Sequence, residues 1–390
     1  MAVPKLRFRD GGEKEFPEWA HVTIGEVCAT FKSGQGITSE KISKDGQFPV
    51  FGGNGLRGFT NAFTHDGLFI LIGRQGALCG NINRSYGKAF ISEHAIAVQA
   101  NEASDTNWLG YKLDLMKLNR LSESSAQPGL SVNKLLKISI VTPSKSEQTK
   151  IANFLTAVDA KISQLTKKHE LLTSYKKGVM QKIFSQELRF KDDDGREFPE
   201  WKLTIIGEIA NKVIAGGTPS TLKKEYWGGN IRWMNSGELN LKLVAEVENR
   251  ITQAGLENSS TKLIPKNCVL IGLAGQGKTR GTVAMNLVEL CTNQSIAAIL
   301  PNPKTFDSHY LCQNLEARYD ELRSLSAGDG GRGGLNLQII KSMEINLPCL
   351  QEQAKIANFL TAIDDKITNV KSKLEATKEY KQGLLQQMFV

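Results

Sequence analysis

At 390 residues, 40% of them apolar and 23% charged, with a formal net charge of +9, the chain is long enough for two or three domains with real cores, which excludes a disordered or low-complexity protein. The mild basic excess points toward a polyanionic partner such as nucleic acid without requiring one. No apolar run approaches the ~18 residues of a membrane span, the N-terminus lacks the apolar centre of a secretion signal, and the six cysteines form no CxxC pair and stand near no histidine cluster. A zinc site and a disulfide framework are therefore not supported, and buried thiols of a cytoplasmic protein are expected.

The chain opens on a lead-in that is written twice. Leu6-Arg7-Phe8, Glu15-Phe16-Pro17-Glu18-Trp19 and Ile24-Gly25-Glu26 return as Leu188-Arg189-Phe190, Glu197-Phe198-Pro199-Glu200-Trp201 and Ile206-Gly207-Glu208. The offset is 182 residues (188 minus 6). The lead-in is polar and turn-rich, its charge run around Asp192 reading as a solvated linker and Trp201 as a packing anchor. A first insert follows, about residues 20 to 146. Runs of four to six β-branched and aromatic residues bounded by Gly and Asn predict strands there, and Asn107 to Arg120 predicts a helix.

From Glu147 to Phe184 the spacing changes. Ile151, Leu155, Val158, Ile162, Leu165, Leu172, Val179 and Ile183 step by fours and threes or their multiples, which draws one narrow apolar seam along a helix. The segment returns at Glu352 to Phe389 with Ile356, Leu360, Ile363, Ile367, Val370, Leu374, Leu384 and Met388 on the same seam. At ~1.5 Å per residue each helix is on the order of 55 Å long. A helix of that length with only a stripe to bury needs a partner, and the obvious one is its own copy. His169 stands at the position of Leu374, and Leu172 at that of Thr377, so the seams differ where register would be fixed. The offset here is 205 residues (352 minus 147), so the second insert, about 202 to 351, is longer by about 23 residues. It shows the same order of strand and helix signals, plus an extra front piece from Gly216 to Leu239. Both inserts end alike, Gly129-Leu130 before Leu135-Leu136 and Pro143 matching Gly334-Leu335 before Ile339-Ile340 and Pro348.

The second insert holds a phosphate-loop pattern, Gly272 to Thr279, with Gly277, Lys278 and Thr279 in the diagnostic places after the strand-like Cys268 to Ile271. Such a loop needs a helix to start at the Lys-Thr pair. Arg280-Gly281-Thr282-Val283 is turn and strand language instead, so a glycine-rich loop presenting Gln276, Lys278 and Arg280 to a nucleic-acid groove is preferred, with nucleotide binding as the alternative. A second glycine-rich stretch, Ala327 to Gly334, carries Arg332, and Ser125 to Gly129 with Gln127 takes its place in the first insert. Tyr226, Trp227 and Trp233 surround Arg232 after Lys223-Lys224, the basic and aromatic texture of a nucleic-acid face, although Trp233 reads as core. No two of the 11 prolines adjoin, so the Asp/Asn-Pro-Pro-aromatic box of amino-methyltransferases is missing. The HExxH and G-x-S-x-G patterns are also absent, and the histidines are scattered. Catalysis within this chain is not expected.

The duplicated Gln148-Thr149-Lys150-Ile151-Ala152-Asn153-Phe154-Leu155 and Gln353 to Leu360, the two Phe-Pro-Glu-Trp lead-ins and Gly216-Gly217-Thr218-Pro219-Ser220 together resemble the specificity (S) subunit of a type I restriction-modification enzyme, over essentially the whole chain. The resemblance implies an α/β (α+β) fold. It also implies two target recognition domains, residues 1–146 (lead-in 1–19) and 188–351 (lead-in 188–201), and helical regions 147–187 and 352–390 pairing as an antiparallel coiled coil with pseudo-two-fold symmetry. The implied partners are double-stranded DNA, two adenine-methyltransferase subunits and, in the full complex, restriction subunits. S-adenosylmethionine would belong to the methyltransferases, ATP and magnesium to the restriction subunits, and no cofactor to this chain. Loop chemistry then nominates Lys32, Arg57, Lys223 and Lys224 for phosphates and Arg74, Gln75, Gln276, Arg280 and Arg332 for base edges. Arg84, Gln127, Thr218, Ser220 and Lys278 complete the candidate DNA-contacting set. Ile151, Phe154, Leu155, Val158, Ile162 and Leu165, with Ile356, Phe359, Leu360, Ile363, Ile367 and Val370, are the candidate coiled-coil and docking positions.

Overall fold

The structure, a computed structural model, describes residues 4–10, 14–122, 129–275, 279–325 and 334–389. It divides into two compact units, Met1–Lys167 with Lys371–Val390, and Lys168–Val370. The division runs through both long helices, so each unit holds one insert, part of the first helix and part of the second.

In the first unit the strands Phe69–Gly73 and Ala95–Ala100 are the centre of an antiparallel four-stranded sheet, flanked by Cys28–Ser33 and Ile82–Ser85. The period-two rule explains their unbroken apolar sequences. Ile70, Ile72, Ile96 and Val98 face a core with Trp108 and Leu109, while Phe69, Leu71, Ala95 and Ala97 face a second cluster with Ile91, so both faces are buried. The helix Thr106–Leu115 that covers the first face starts at Asp105, whose side chain accepts from Trp108 N at 3.0 Å, a standard N-cap. It stops short of the sequence expectation because Lys117 adopts a left-handed φ of 49°, and the chain continues as the 3-10 turn Leu118–Leu121. A smaller sheet is built from Gly55–Thr60, Phe48–Gly52 and Phe90–Ile91.

The second unit repeats this plan with additions. Val213–Ala215, Ile296–Ile299, Val269–Gly272, Val283–Asn286 and Leu243–Val244 form a five-stranded sheet, covered by the helix Ser308–Ala317, which Asp307 caps through Tyr310 N at 2.9 Å. The extra front piece supplies the strand Trp227–Met234, central to a second sheet with Asn249–Ile251 and Leu290–Thr292. Trp233 is buried there, as its sequence setting suggested, and its indole N–H donates to Gly217 O at 3.0 Å.

The long helices span Lys145–Phe184 and Leu350–Met388. In the first unit Ile151, Leu155 and Val158 share a core with Leu384, Met388 and Phe389; in the second, Val179, Met180 and Ile183 share one with Ile356, Leu360 and Ile363. The start of one helix thus lies beside the end of the other within each unit, an antiparallel pairing. Matched ion pairs mark the register: Lys381 meets Asp159 at 2.6 Å and Lys176 meets Asp364 at 2.8 Å, each 205 residues from its counterpart (381 minus 176, 364 minus 159). Leu374 is buried while its counterpart His169 is half-buried, so the two copies pack differently there, whereas Leu172 and its counterpart Thr377 are both half-buried. No helix among the described residues is long and apolar enough to cross a membrane.

One repeated device ties each insert to its helix. Arg7 donates to both oxygens of Glu147 at 3.0 and 2.8 Å and to the carbonyls of Phe16 and Pro17. Arg189 does the same to Glu352 at 3.3 and 2.9 Å and to Phe198 and Pro199. Both carboxylates are fully buried, and their hydrogen bonds hold the guanidinium groups above their ordinary pKa. Gln148 and Gln353, the next residues, each accept through Oε1 from the backbone N–H of a helix cap, Asp105 and Asp307, at 2.8 Å. The lead-in also follows the helix end in both units: Leu188 N donates to Lys182 O at 3.0 Å and Leu6 N to Gln387 O at 2.9 Å.

Candidate nucleic-acid interface

At one end of the first unit's main sheet, separate loops meet on bare backbone. Gly34 N donates to Ala95 O at 3.0 Å and Gln35 N to Ile91 O at 2.9 Å, which brings the end of strand Cys28–Ser33 against the turn at Glu93-His94. Arg74 N donates to His94 O at 2.9 Å, and Arg74 O accepts from Leu130 N at 3.0 Å; Gln75 forms an isolated bridge with Gly129. The hairpin at Gly53 comes equally close, since a Cβ there would stand 2.8 Å from His94 O and 3.4 Å from Gly73 Cα. Only glycine permits that approach.

The second unit contains the same lattice. Gly216 N donates to Ile296 O at 3.3 Å, Gly217 N to Thr292 O at 2.8 Å, Leu273 N to Ser295 O at 2.8 Å, and Leu273 O accepts from Leu335 N at 2.9 Å. Stretches 34–35, 74, 92–95 and 130 therefore correspond to 216–217, 273, 293–296 and 335. The loops are held by shared backbone bonds while their side chains differ, and these loops are where the two inserts diverge in sequence.

Most of the sequence-nominated residues that are described lie on or beside this end. Lys32 is exposed on the strand leading to Gly34, and Arg57 lays its stem over Gly52. Arg74 and Gln75 sit in the bonded loop itself. In the second unit Thr218 and Ser220 follow Gly216-Gly217, and Lys223 and Lys224 are exposed beyond them. A 3.0 Å bond to the Tyr226 hydroxyl raises the Lys223 pKa. Arg280 lies in the turn after Thr279. Arg84 stands apart: it is on strand Ile82–Ser85, its guanidinium 4.4 Å from the centroid of the Tyr111 ring and against Gly110, packed toward the covering helix. Gln127, Gln276, Lys278 and Arg332 lie outside the described residues.

The helix positions nominated for docking are mostly interior. Ile151, Leu155, Val158, Leu165, Ile356, Leu360, Ile363 and Val370 are buried; Phe154, Ile162, Phe359 and Ile367 are partly buried against the same cores. Outward apolar groups include Leu171 and the repeat-equivalent Tyr175 and Tyr380, each tyrosine 55% exposed.

The phosphate-loop resemblance does not extend to its geometry. Strand Val269–Gly272 pairs antiparallel with Val283–Asn286, and Thr279 to Gly281 are turn. A phosphate loop requires a helix N-terminus at that point, where its amides converge on the anion. Among the described residues no group of three His, Cys, Asp or Glu is placed to hold a metal ion, and burial pushes the Cys28 and Cys268 thiols up to about 12.

The turn residues Glu93, His94 and Gln294, which the loops are built around, were not singled out from the sequence. Aligning the three-residue gaps before Ala95 and Ile296 would have found them, because the strands on either side are recognisable in both inserts.

The sequence matches the family described as "Type I restriction modification DNA specificity domain" twice, over residues 17–173 and 199–378. The chain belongs to that family. It is 38% identical over 148 residues to the type I restriction enzyme EcoprrI specificity subunit of Escherichia coli, covering 37% of each chain. To the MjaIX specificity subunit of Methanocaldococcus jannaschii it is 30% identical over 212 residues, 53% of this chain and 48% of that one. The matched stretch thus spans less than half the length of either relative. Among solved structures, the S subunit of a type I restriction-modification system from M. genitalium superposes with a TM-score of 0.72 at 18% identity, covering 100% of this chain and 99% of that one, which shows a shared fold.

Proposed function

We propose that this chain is the non-catalytic DNA-reading subunit of a type I restriction-modification complex, each insert reading one half of a bipartite duplex site. The observation that carries the reading is the duplicated loop cluster: the same backbone lattice occurs in both inserts with different side chains, as expected of two readers of unlike half-sites. Exposed Lys32, Arg57, Lys223 and Lys224 would contact phosphates and set position without sequence information; Arg74, Gln75, Thr218, Ser220 and Arg280 would reach base edges. The long helices would set the half-site spacing and present Tyr175 and Tyr380 to two adenine-methyltransferase subunits. S-adenosylmethionine then belongs to those subunits and ATP with magnesium to restriction subunits, and the complex works in the cytoplasm on DNA.

The test is an exchange of residues 202–351 for the corresponding insert of another family member, followed by mapping of methylated adenines. One half-site should change and the other should stay. An unchanged site, or a change in both halves, would sink the proposal.

A further inference from the structure

Resting on that reading, we propose that Gln294 is a base-reading residue of the second insert and recognises an adenine in the second half-site. Gln294 is exposed at the tip of the turn between strands Leu290–Thr292 and Ile296–Ile299, and each support of that turn is fixed. Gly216 presses so closely on its start that a Cβ would stand 2.0 Å from Thr292 O, and Gly217 N donates to the same oxygen at 2.8 Å. Trp233 Nε1 holds Gly217 O from behind. Asn293 closes the turn by accepting from Ser295 N at 3.1 Å, and Ser295 O binds the start of the loop that leads to Arg280.

The side chain is fixed as well. The Thr218 hydroxyl donates to Gln294 Oε1 at 2.6 Å, which occupies one of that oxygen's two acceptor positions. What remains is one acceptor position on Oε1 beside the donors of Nε2. That acceptor-donor edge complements N6 and N7 of adenine in the major groove. A preorganised side chain on a rigid turn loses little freedom on binding, which favours discrimination over simple adhesion. The equivalent position of the first insert, counting back from Ala95 as from Ile296, is Glu93, an acceptor-only group. The two inserts thus carry chemically different groups at one place in a shared lattice.

The experiment assembles the full chain with its methyltransferase subunits and selects bound duplexes from a library randomised over both half-sites. The wild-type complex should show an adenine whose preference, on the order of tenfold or more for a bidentate contact, is lost in Gln294→Ala. In Gln294→Glu the same position should turn toward cytosine, whose N4 amino group suits an acceptor. Thr218→Val, which frees the amide without removing it, should relax that position, together with any base that the Thr218 hydroxyl itself reaches. A consensus unchanged in the Gln294 variants overturns this inference and leaves the DNA-reading proposal standing. A wild-type complex that enriches no sequence overturns both.

Discussion

Arg7 and Arg189 are the residues on which each insert's attachment turns. Each satisfies a fully buried glutamate with two hydrogen bonds while its Nη2 also donates to two backbone carbonyls, so removing the arginine strands a buried carboxylate. Truncating one member of such a pair costs roughly 3–5 kcal/mol, mostly because the charge left behind is buried and unpaired. Arg7→Ala should therefore destabilise the first unit by about that amount by stranding Glu147, and Arg189→Ala the second, where Glu352 Oε2 would still accept from the Trp201 indole N–H at 2.9 Å. Hydrogen exchange resolved by residue would check this: each variant should raise exchange in its own unit, and a variant that loosened both equally would contradict a local anchor. This pair was hard to read from the sequence. Arg7, Arg189, Glu147 and Glu352 all lie inside visible repeats, but a repeated charge looks the same whether it is solvated or buried, and only the packing of Phe16 and Phe198 beside it decides. The exposed acidic run near Asp192 was legible because turn residues flank it.

At the scale of elements, the long helices were readable almost to the residue because a seam at three- and four-residue spacing is a strong signal, and duplication doubled it. The inserts were readable as strands and one helix each but not as sheets, since pairing depends on contacts far apart in sequence. The side chains between the helices show what periodicity could not. Lys176 lies between Asp364 and Glu316, and Glu316 also meets Lys242. Burial alone would raise the Glu316 pKa, but Lys176 and Lys242 outweigh it and hold it below its ordinary 4.5. Burial pulls Lys176 down, and the two carboxylates more than reverse that, leaving it above 10.5. A carboxylate depressed on folding contributes stability that is complete above its unfolded value and is lost as pH falls through the folded one. A raised lysine contributes stability that is complete below its unfolded value and is lost as pH rises through the folded one. The second unit should accordingly lose stability below about pH 4.5 and again above about 10.5. Glu316→Gln should flatten the acid limb, as measured by denaturant midpoints followed through Trp201, Trp227 and Trp233. An acid limb of unchanged slope would show that this cluster contributes nothing measurable.

For the molecule as a whole, the unit boundaries at Lys167 and Val370 fall inside continuous helices, and this allows the proposed spacing role to be separated from folding. One heptad inserted after Lys167 and another after Val370 would keep the antiparallel seams within each unit in register, because seven residues return the apolar stripe to the same face. Neither anchor pair, Arg7 with Glu147 or Arg189 with Glu352, would be touched, so both units should fold with unchanged stability. Each helix would lengthen by about 10 Å at ~1.5 Å per residue. If the helices set the distance between half-sites, the preferred spacer should grow by about three base pairs at ~3.4 Å each, while the bases read in both halves stay as they were. Selection on duplexes of varied spacer length would measure this. A lengthened chain that still prefers the original spacer would show that something other than the helices fixes the distance, and a chain that changes its half-site sequences would show that the loop clusters are not independent of the helices that carry them.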